Sequence, residues 1–159
     1  MGLKLVIAAA VLTAAAVCTT SGVVPLGATS GVVPLNAMER LPRSLQKTTR
    51  DKIYAKDQAD RGAQLYVKHC ERCHTPEKVP EGKKPGPPVV GEKFMATWTD
   101  RTLGELFDTI NNTMPSDGTA VLTVDQSLDS LAYILKLNGF PEGAPLKNDD
   151  AMKAIVIVK

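Results

Sequence analysis

Aromatic residues are scarce in this chain of 159 residues, which has one Trp, three Tyr and three Phe. All of them lie between Tyr54 and Phe140, so the largest apolar side chains that a core needs are confined to that stretch. The overall content of 43% hydrophobic and 23% charged residues is that of a globular chain rather than of a disordered or fibrous one. We therefore expect the folded domain within that stretch.

An excess of charge of one sign is also lacking. The chain has 19 basic and 17 acidic residues, which leaves a formal net charge of +2 at pH 7. Proteins that bind the phosphate backbone concentrate much more positive charge than this. The composition argues against nucleic acid as a partner.

The apolar run near the amino terminus, residues 5–17, has thirteen residues without a charge and follows Lys4. A charged start and a short apolar run are typical of a secretory signal peptide, and the run is short for a membrane span. We predict a signal peptide over residues 1–18, with cleavage after Ala16 or Cys18, and a periplasmic product. An uncleaved anchor, a buried helix or a lipoprotein acylated at Cys18 are the alternatives, and an anchor or acyl chain would add the membrane as a partner.

A duplicated segment follows, because residues 20–26 read TSGVVPL and residues 29–35 repeat the same letters. Two copies are too few for a repeat fold, and their proline and glycine oppose regular structure. We predict a tether over residues 19–56, with Tyr54 docking on the domain.

Only two cysteines remain after residue 18, and they fall in the sequence Cys70-Glu71-Arg72-Cys73-His74. C-x-x-C-H is the attachment signature of c-type haem. Two thiols within one helical turn reach the two vinyl groups of one porphyrin, and the adjacent imidazole faces the iron. We predict Cys70 and Cys73 as the attachment residues and His74 as the proximal ligand of one haem c.

Three other interpretations of this motif fit its surroundings less well. A thioredoxin-like dithiol needs a βαβ pattern around it. A zinc site would have to draw four ligands from residues 69–74, whereas structural zinc sites gather two separated pairs. A disulfide, which an exported protein can form, would leave His74 without a role.

Histidine is scarce as well, since His69 is the only one besides His74. His69 directly precedes Cys70, so it lies on the same side of the haem and cannot reach across its plane; we expect it at the surface. The sixth iron ligand must come from elsewhere, and the thioether of methionine is the usual soft choice.

Of the five methionines, Met114 is the favoured ligand. It lies in the turn-rich residues 111–118, where Pro115 holds it in an extended conformation that suits a fixed ligand. Met95 is expected to pack in the core. The others fall in the predicted signal, tether and tail: Met1, Met38 and Met152.

Helical spacing predicts a mostly α fold. One helix is expected over residues 57–70, and capping boxes at Thr102 and Thr123 open two more. Residues 75–91 hold five prolines and three glycines, which predicts a loop around one edge of the haem. No strand pattern competes before residues 155–158.

At this point the chain resembles a known family, the class I single-haem cytochromes c, over residues 57–141. The resemblance rests on the following residues: Cys70 to His74, the GPPVVG of residues 86–91, Phe94, Trp98, Met114-Pro115 and the helix with Tyr133. It implies helices wrapped around one covalently bound haem c, with residues 142–159 as a C-terminal extension. It also implies that the Pro87 carbonyl accepts a hydrogen bond from His74 and that Trp98 bonds a haem propionate.

A narrower resemblance concerns residues 132–141 together with Tyr54, Tyr66 and residues 58–62. These are similar to cytochromes linked to periplasmic quinoprotein alcohol dehydrogenases. The chain has no dehydrogenase domain of its own, so the resemblance implies a free-standing partner or a subunit of such an enzyme.

The expected function is electron transfer, because iron with both axial positions filled leaves none for a substrate. We predict a periplasmic carrier, not an enzyme, that accepts electrons from a dehydrogenase and passes them to a respiratory acceptor such as a terminal oxidase. The alternative is a haem enzyme or gas-binding cytochrome with an open distal site, for which the sequence offers no second usable histidine. A non-redox protein that binds through its proline-rich loop is a third possibility.

Overall fold

The computed structural model describes residues 45–159, and in this part of the chain the secondary structure is helical. The elements in chain order are α1 (Lys56–His69), α2 (Glu71–His74), a 3-10 turn (Pro76–Lys78), α3 (Gly91–Trp98), α4 (Leu103–Thr113), α5 (Val124–Leu137) and α6 (Asp150–Lys153). Between residues 45 and 159 the β-structure consists of isolated bridges, two of which involve Val156. The predicted mostly α fold is confirmed.

Helices α1 and α5 pack with their backbones in contact at Gly62. A Cβ atom added there would lie 1.9 Å from the Asp129 carbonyl oxygen and 2.8 Å from Cβ of Tyr133. Beside this contact, Arg61 donates two hydrogen bonds of 2.8 Å to the carboxylate of Asp129, which is only 7% exposed. The paired guanidinium satisfies the buried carboxylate, and the glycine lets the backbones of the two helices approach closely.

Helices α4 and α5 begin where their capping boxes predicted. The amide of Glu105 donates to Oγ1 of Thr102 at 3.2 Å, and the amide of Thr102 donates to Oε2 of Glu105 at 2.9 Å. Thr123 and Gln126 exchange the same pair of bonds, at 3.2 and 2.9 Å. These bonds satisfy amides that have no partner within the helix. The apolar faces of both helices are buried in the core: Leu103, Leu106, Phe107, Ile110, Leu128, Leu131 and Leu135.

The core extends beyond the predicted limits of the domain at residues 57 and 141. The Tyr54 hydroxyl donates to the carbonyl of Phe140 at 2.7 Å, and Gln58 exchanges hydrogen bonds of 3.0 and 2.7 Å with the backbone of Leu146. Several side chains from both flanks are buried: Thr49, Ile53, Tyr54, Leu146, Met152, Ile155 and Ile157. The end of the predicted tether and the C-terminal extension are therefore parts of the folded unit, Met152 included.

The predicted signal peptide with Cys18, and the predicted tether up to residue 44 with its duplicated segment and Met38, lie outside the described residues. Within residues 45–159, no helix has both the length and the apolar character that crossing a membrane requires.

Replacing Gly62 by alanine should destabilise the protein strongly. The new methyl group would have to displace the backbone of α5 rather than a flexible side chain, so we expect a loss of about 3 kcal/mol or more in the free energy of unfolding. Denaturant unfolding of the haem-loaded protein measures it. Val67→Ala, on an exposed part of the same helix, is the control and should stay within about 0.5 kcal/mol of the unmodified protein. Equal stabilities for the two variants would contradict the close contact.

Candidate haem-binding site

All six site residues predicted from the sequence line a single cavity: Cys70, Cys73, His74, Pro87, Trp98 and Met114. The ends of α1 and α2, the proline-rich segment (residues 85–91), α3, α4 and α5 each contribute to its wall. The remaining wall is largely apolar, with contributions from Val89, Phe94, Leu106, Ile110, Leu122 and Ile134. A largely apolar cavity with a few convergent polar groups is typical of a cofactor site.

The two cysteines stand on one tight turn. Cys70 joins α1 to α2, and its carbonyl accepts hydrogen bonds of 3.0 Å from the amides of both Cys73 and His74. Both thiols are free and half-buried. Burial, with a smaller contribution from Cys73, raises the pKa of the Cys70 thiol to about 11, so this thiol is protonated at neutral pH in the apolar cavity.

The geometry does not favour the zinc interpretation of the motif. Among residues 45–159, no three or more His, Cys, Asp or Glu side chains come together in an arrangement that holds a metal ion. The donor set of two neighbouring thiols and one imidazole, facing an apolar cavity, instead fits a porphyrin attached by two thioether bonds.

The imidazole of His74 is oriented by the proline-rich segment. Its Nδ1 lies 2.7 Å from the carbonyl oxygen of Pro87, which is the contact that the family resemblance implied. Since a carbonyl only accepts, Nδ1 carries the proton, and Nε2 keeps the lone pair that a metal needs. Gly86 lies against the ring, where an added Cβ would be 3.1 Å from Cε1, and its amide donates to the Cys73 carbonyl at 2.8 Å.

Met114 follows the last residue of α4 directly. Its backbone is extended, with φ −115° and ψ 143°, as expected for a residue before proline. The prediction that residues 111–118 form a loop is wrong for residues 111–113, because α4 continues to Thr113. Thr113 donates its hydroxyl to the carbonyl of Thr109, a bond that lets threonine remain in the helix. Met114 is consequently fixed to a helix end.

The loop after Met114 is closed by Asp117. Its carboxylate accepts hydrogen bonds from the Thr119 hydroxyl at 2.7 Å and from the Thr119 amide at 3.1 Å. These bonds hold the pKa of Asp117 below its ordinary value. Arg72 of α2 lies 3.7 Å from the same carboxylate, so an ion pair joins the attachment turn to the loop that carries Met114.

Trp98 ends α3 and lines the cavity, packed between two neighbours. Its ring centroid lies 6.4 Å from that of Phe94, and the Arg101 guanidinium lies over it at 4.4 Å. Its predicted bond to a haem propionate stays a prediction. Met95 is partly buried and packs against the core as expected.

His69 and Tyr66 are among the lining residues that were not assigned to the site from the sequence. His69, expected at the surface, is half-buried at the cavity because it ends α1 next to Cys70. Tyr66, one turn earlier, packs its ring 5.4 Å from that of Tyr133, and its hydroxyl lies 3.2 Å from Oγ1 of Thr75. The spacing of Tyr66 and Cys70 by four residues was the signal that put both on one face of α1.

A mostly helical domain that gathers two free thiols, an oriented imidazole and a methionine around one apolar cavity is a c-type cytochrome domain. In agreement, residues 57–134 match the family model described as cytochrome c oxidase, cbb3-type, subunit III. These residues are therefore a cytochrome c family domain with the class I fold, and the protein binds haem c covalently. No curated protein and no solved structure gives a significant match to the chain.

Replacing Cys70 and Cys73 together by serine should abolish the covalent attachment of haem, because no other free thiol of the described residues is available. Mass measurement under denaturing conditions should show one haem retained on the unmodified polypeptide and none on the double variant. The single variants are the controls, since each keeps one thiol for a single thioether bond. Release of the haem from the unmodified protein by acid-acetone would contradict the assignment.

Proposed function

We propose that this protein is a periplasmic electron carrier in which His74 and Met114 are the two axial ligands of a single haem c. The cytochrome c domain supports a haem-based electron-transfer role and fits a carrier rather than an enzyme. The observation that carries the finer proposal is the convergence of an oriented imidazole and a helix-anchored thioether on the same cavity.

Each part of the site has a separate task in this proposal. Haem c supplies an iron that gains and loses one electron. The Pro87 carbonyl fixes the tautomer and the direction of the His74 ring. The end of α4 fixes Met114, and the apolar side chains around the cavity give the haem an apolar environment. Because both ligands are built into the framework, an electron can pass without a rearrangement of the chain.

The composition of the cavity wall argues against an open distal site of the peroxidase or sensor type. Such a site needs a histidine or arginine that acts on the bound ligand. Among residues 45–159, the histidines in the wall are His69 and His74, which are on the attachment side, and no arginine lines it. Met114 is the side chain in the wall whose chemistry suits a soft sixth ligand.

The partners that we propose are redox proteins. The matched family is named for an oxidase subunit, which favours a terminal oxidase as the acceptor. A periplasmic dehydrogenase, including a quinoprotein alcohol dehydrogenase, is proposed as the donor on the sequence resemblance. Encounters of this kind need only small and weak interfaces. Near the attachment motif, two basic side chains already form ion pairs within the chain, Lys78 with Glu71 and Arg72 with Asp117.

Met114→Ala should lower the reduction potential markedly and open the iron to cyanide or carbon monoxide. A thioether stabilises ferrous over ferric iron, so its removal favours the oxidised form. Redox titration and the Met-to-iron charge-transfer band of the oxidised protein measure the change.

The control for Met114→Ala is Met95→Leu, a swap of similar volume at a partly buried residue that costs less than about 1.5 kcal/mol. It should leave the potential and the band unchanged. The ligand assignment would be wrong if Met95→Leu removed the band while Met114→Ala kept it.

Export is tested by the mass of the mature protein. A signal peptide of the kind predicted is removed at about residues 17–22, and the product should be recovered from the periplasmic fraction. Acylation of Cys18 would keep the compartment and change the attachment. An intact Met1 on cytoplasmic material that carries haem would refute export.

A further inference from the structure

The segment that carries the Pro87 carbonyl is held at both ends by hydrogen bonds from outside it. At its start, the Gly86 amide donates to the Cys73 carbonyl at 2.8 Å. At its end, the side chain of Asn138 makes two contacts with the backbone of the segment. The amide nitrogen of Asn138 donates to the Val89 carbonyl at 2.9 Å, and the amide oxygen of Asn138 accepts from Gly91 at 3.1 Å.

Asn138 is itself fixed to the end of α5. Its side-chain nitrogen also donates to the Ile134 carbonyl at 2.8 Å, and its backbone amide bonds the same carbonyl at 3.2 Å. Both hydrogens of the side-chain amide and its oxygen are thereby used. The contact of Asn138 with residues 89–91 consequently transmits the position of α5, which packs on α1 at Gly62.

The chemistry of the segment explains why an external anchor is needed. Pro85, Pro87 and Pro88 have no backbone N–H, so the segment cannot build a hydrogen-bonded structure of its own. Gly91 adopts φ +76°, a conformation that favours glycine and turns the chain into α3. A segment of this kind keeps the Pro87 oxygen at a fixed place only if both of its ends are fixed.

We infer that Asn138 is a positioning residue for the axial histidine, acting through Val89 and Pro87 on Nδ1 of His74. This inference rests on the proposed function, in which His74 binds the iron. A histidine that donates its second ring N–H to a carbonyl is a more basic ligand, and a more basic ligand stabilises ferric iron. Loosening the segment weakens that hydrogen bond, so it raises the reduction potential.

The experiment uses the haem-loaded protein and the variant Asn138→Ala, with two readouts. The reduction potential should shift upward. The exchange of the His74 ring N–H with solvent, followed by NMR in the reduced state, should become faster by about tenfold, as expected when the hydrogen bond that protects it is weakened.

The matched control is Gln58→Ala, which likewise removes a side-chain amide and its hydrogen bonds, here the buried ones to Leu146. Gln58 does not line the cavity, so this variant should lose stability without moving either readout. Asn138→Ser keeps one hydroxyl for one of the two contacts and should fall between Asn138→Ala and the unmodified protein. If Asn138→Ala does not retain haem, the same two readouts on Asn138→Ser test the inference instead.

Two results would overturn the inference and a third would overturn the proposed ligation instead. Asn138 variants with the potential and exchange rate of the unmodified protein would show that the anchor does not reach His74. Loss of haem from both Asn138 variants, but not from Gln58→Ala, would assign Asn138 to folding alone. If NMR of the unmodified, reduced protein shows that the His74 imidazole is not bound to the iron, the ligand assignment fails, independently of Asn138.

Discussion

The close approach of α1 and α5 at Gly62 determines the position of most other groups around His74. Helix α1 leads directly into Cys70, so its placement sets the attachment turn. Helix α5 leads directly into Asn138, whose side chain holds the segment that carries the Pro87 carbonyl. The attachment turn that carries His74 and the carbonyl that accepts its hydrogen bond are thus both positioned by the ends of one pair of helices. Any side chain larger than hydrogen at Gly62 would separate that pair.

The methionine side of the cavity depends on a different support. Helix α4 begins at its capping box and ends at Met114. Near its start, Gly104 lies so close to α6 that an added Cβ would be 3.0 Å from the carbonyl oxygen of Lys153. The amide of Leu103 donates to Ile155 at 2.8 Å, and the amide of Ile157 donates to Arg101 at 2.9 Å. The C-terminal residues therefore brace the helix from which Met114 extends.

What the sequence predicted well has a local physical cause. A capping box needs only a threonine and an acid or amide three residues later, and proline restricts the residue directly before it. The attachment motif is likewise contained in five residues. The start of α4 at Leu103, the extended backbone of Met114 and the turn at Cys70 follow from such local rules.

What the sequence did not predict depends on contacts between distant residues. Gln58 and Leu146 exchange two hydrogen bonds across 88 positions, and no neighbouring residue of either signals the pairing. The aromatic residues end at Phe140 and so give no sign that the C-terminal flank belongs to the core. Four apolar side chains are nevertheless buried there: Leu146, Met152, Ile155 and Ile157. The contacts of Asn138 with Val89 and Gly91 likewise follow only from the fold.

Two effects of opposite sign act on the reduction potential in the proposed coordination. The apolar cavity disfavours the additional positive charge of ferric iron, just as burial disfavours the charged form of the Cys70 thiol. The hydrogen bond from His74 to Pro87 makes the imidazole a more basic ligand, which donates more electron density to the iron and so favours ferric iron. The first effect is distributed over many apolar side chains, whereas the second passes through one carbonyl. That carbonyl belongs to a segment rich in proline, so its strength as an acceptor depends on how firmly Asn138 holds the segment in place.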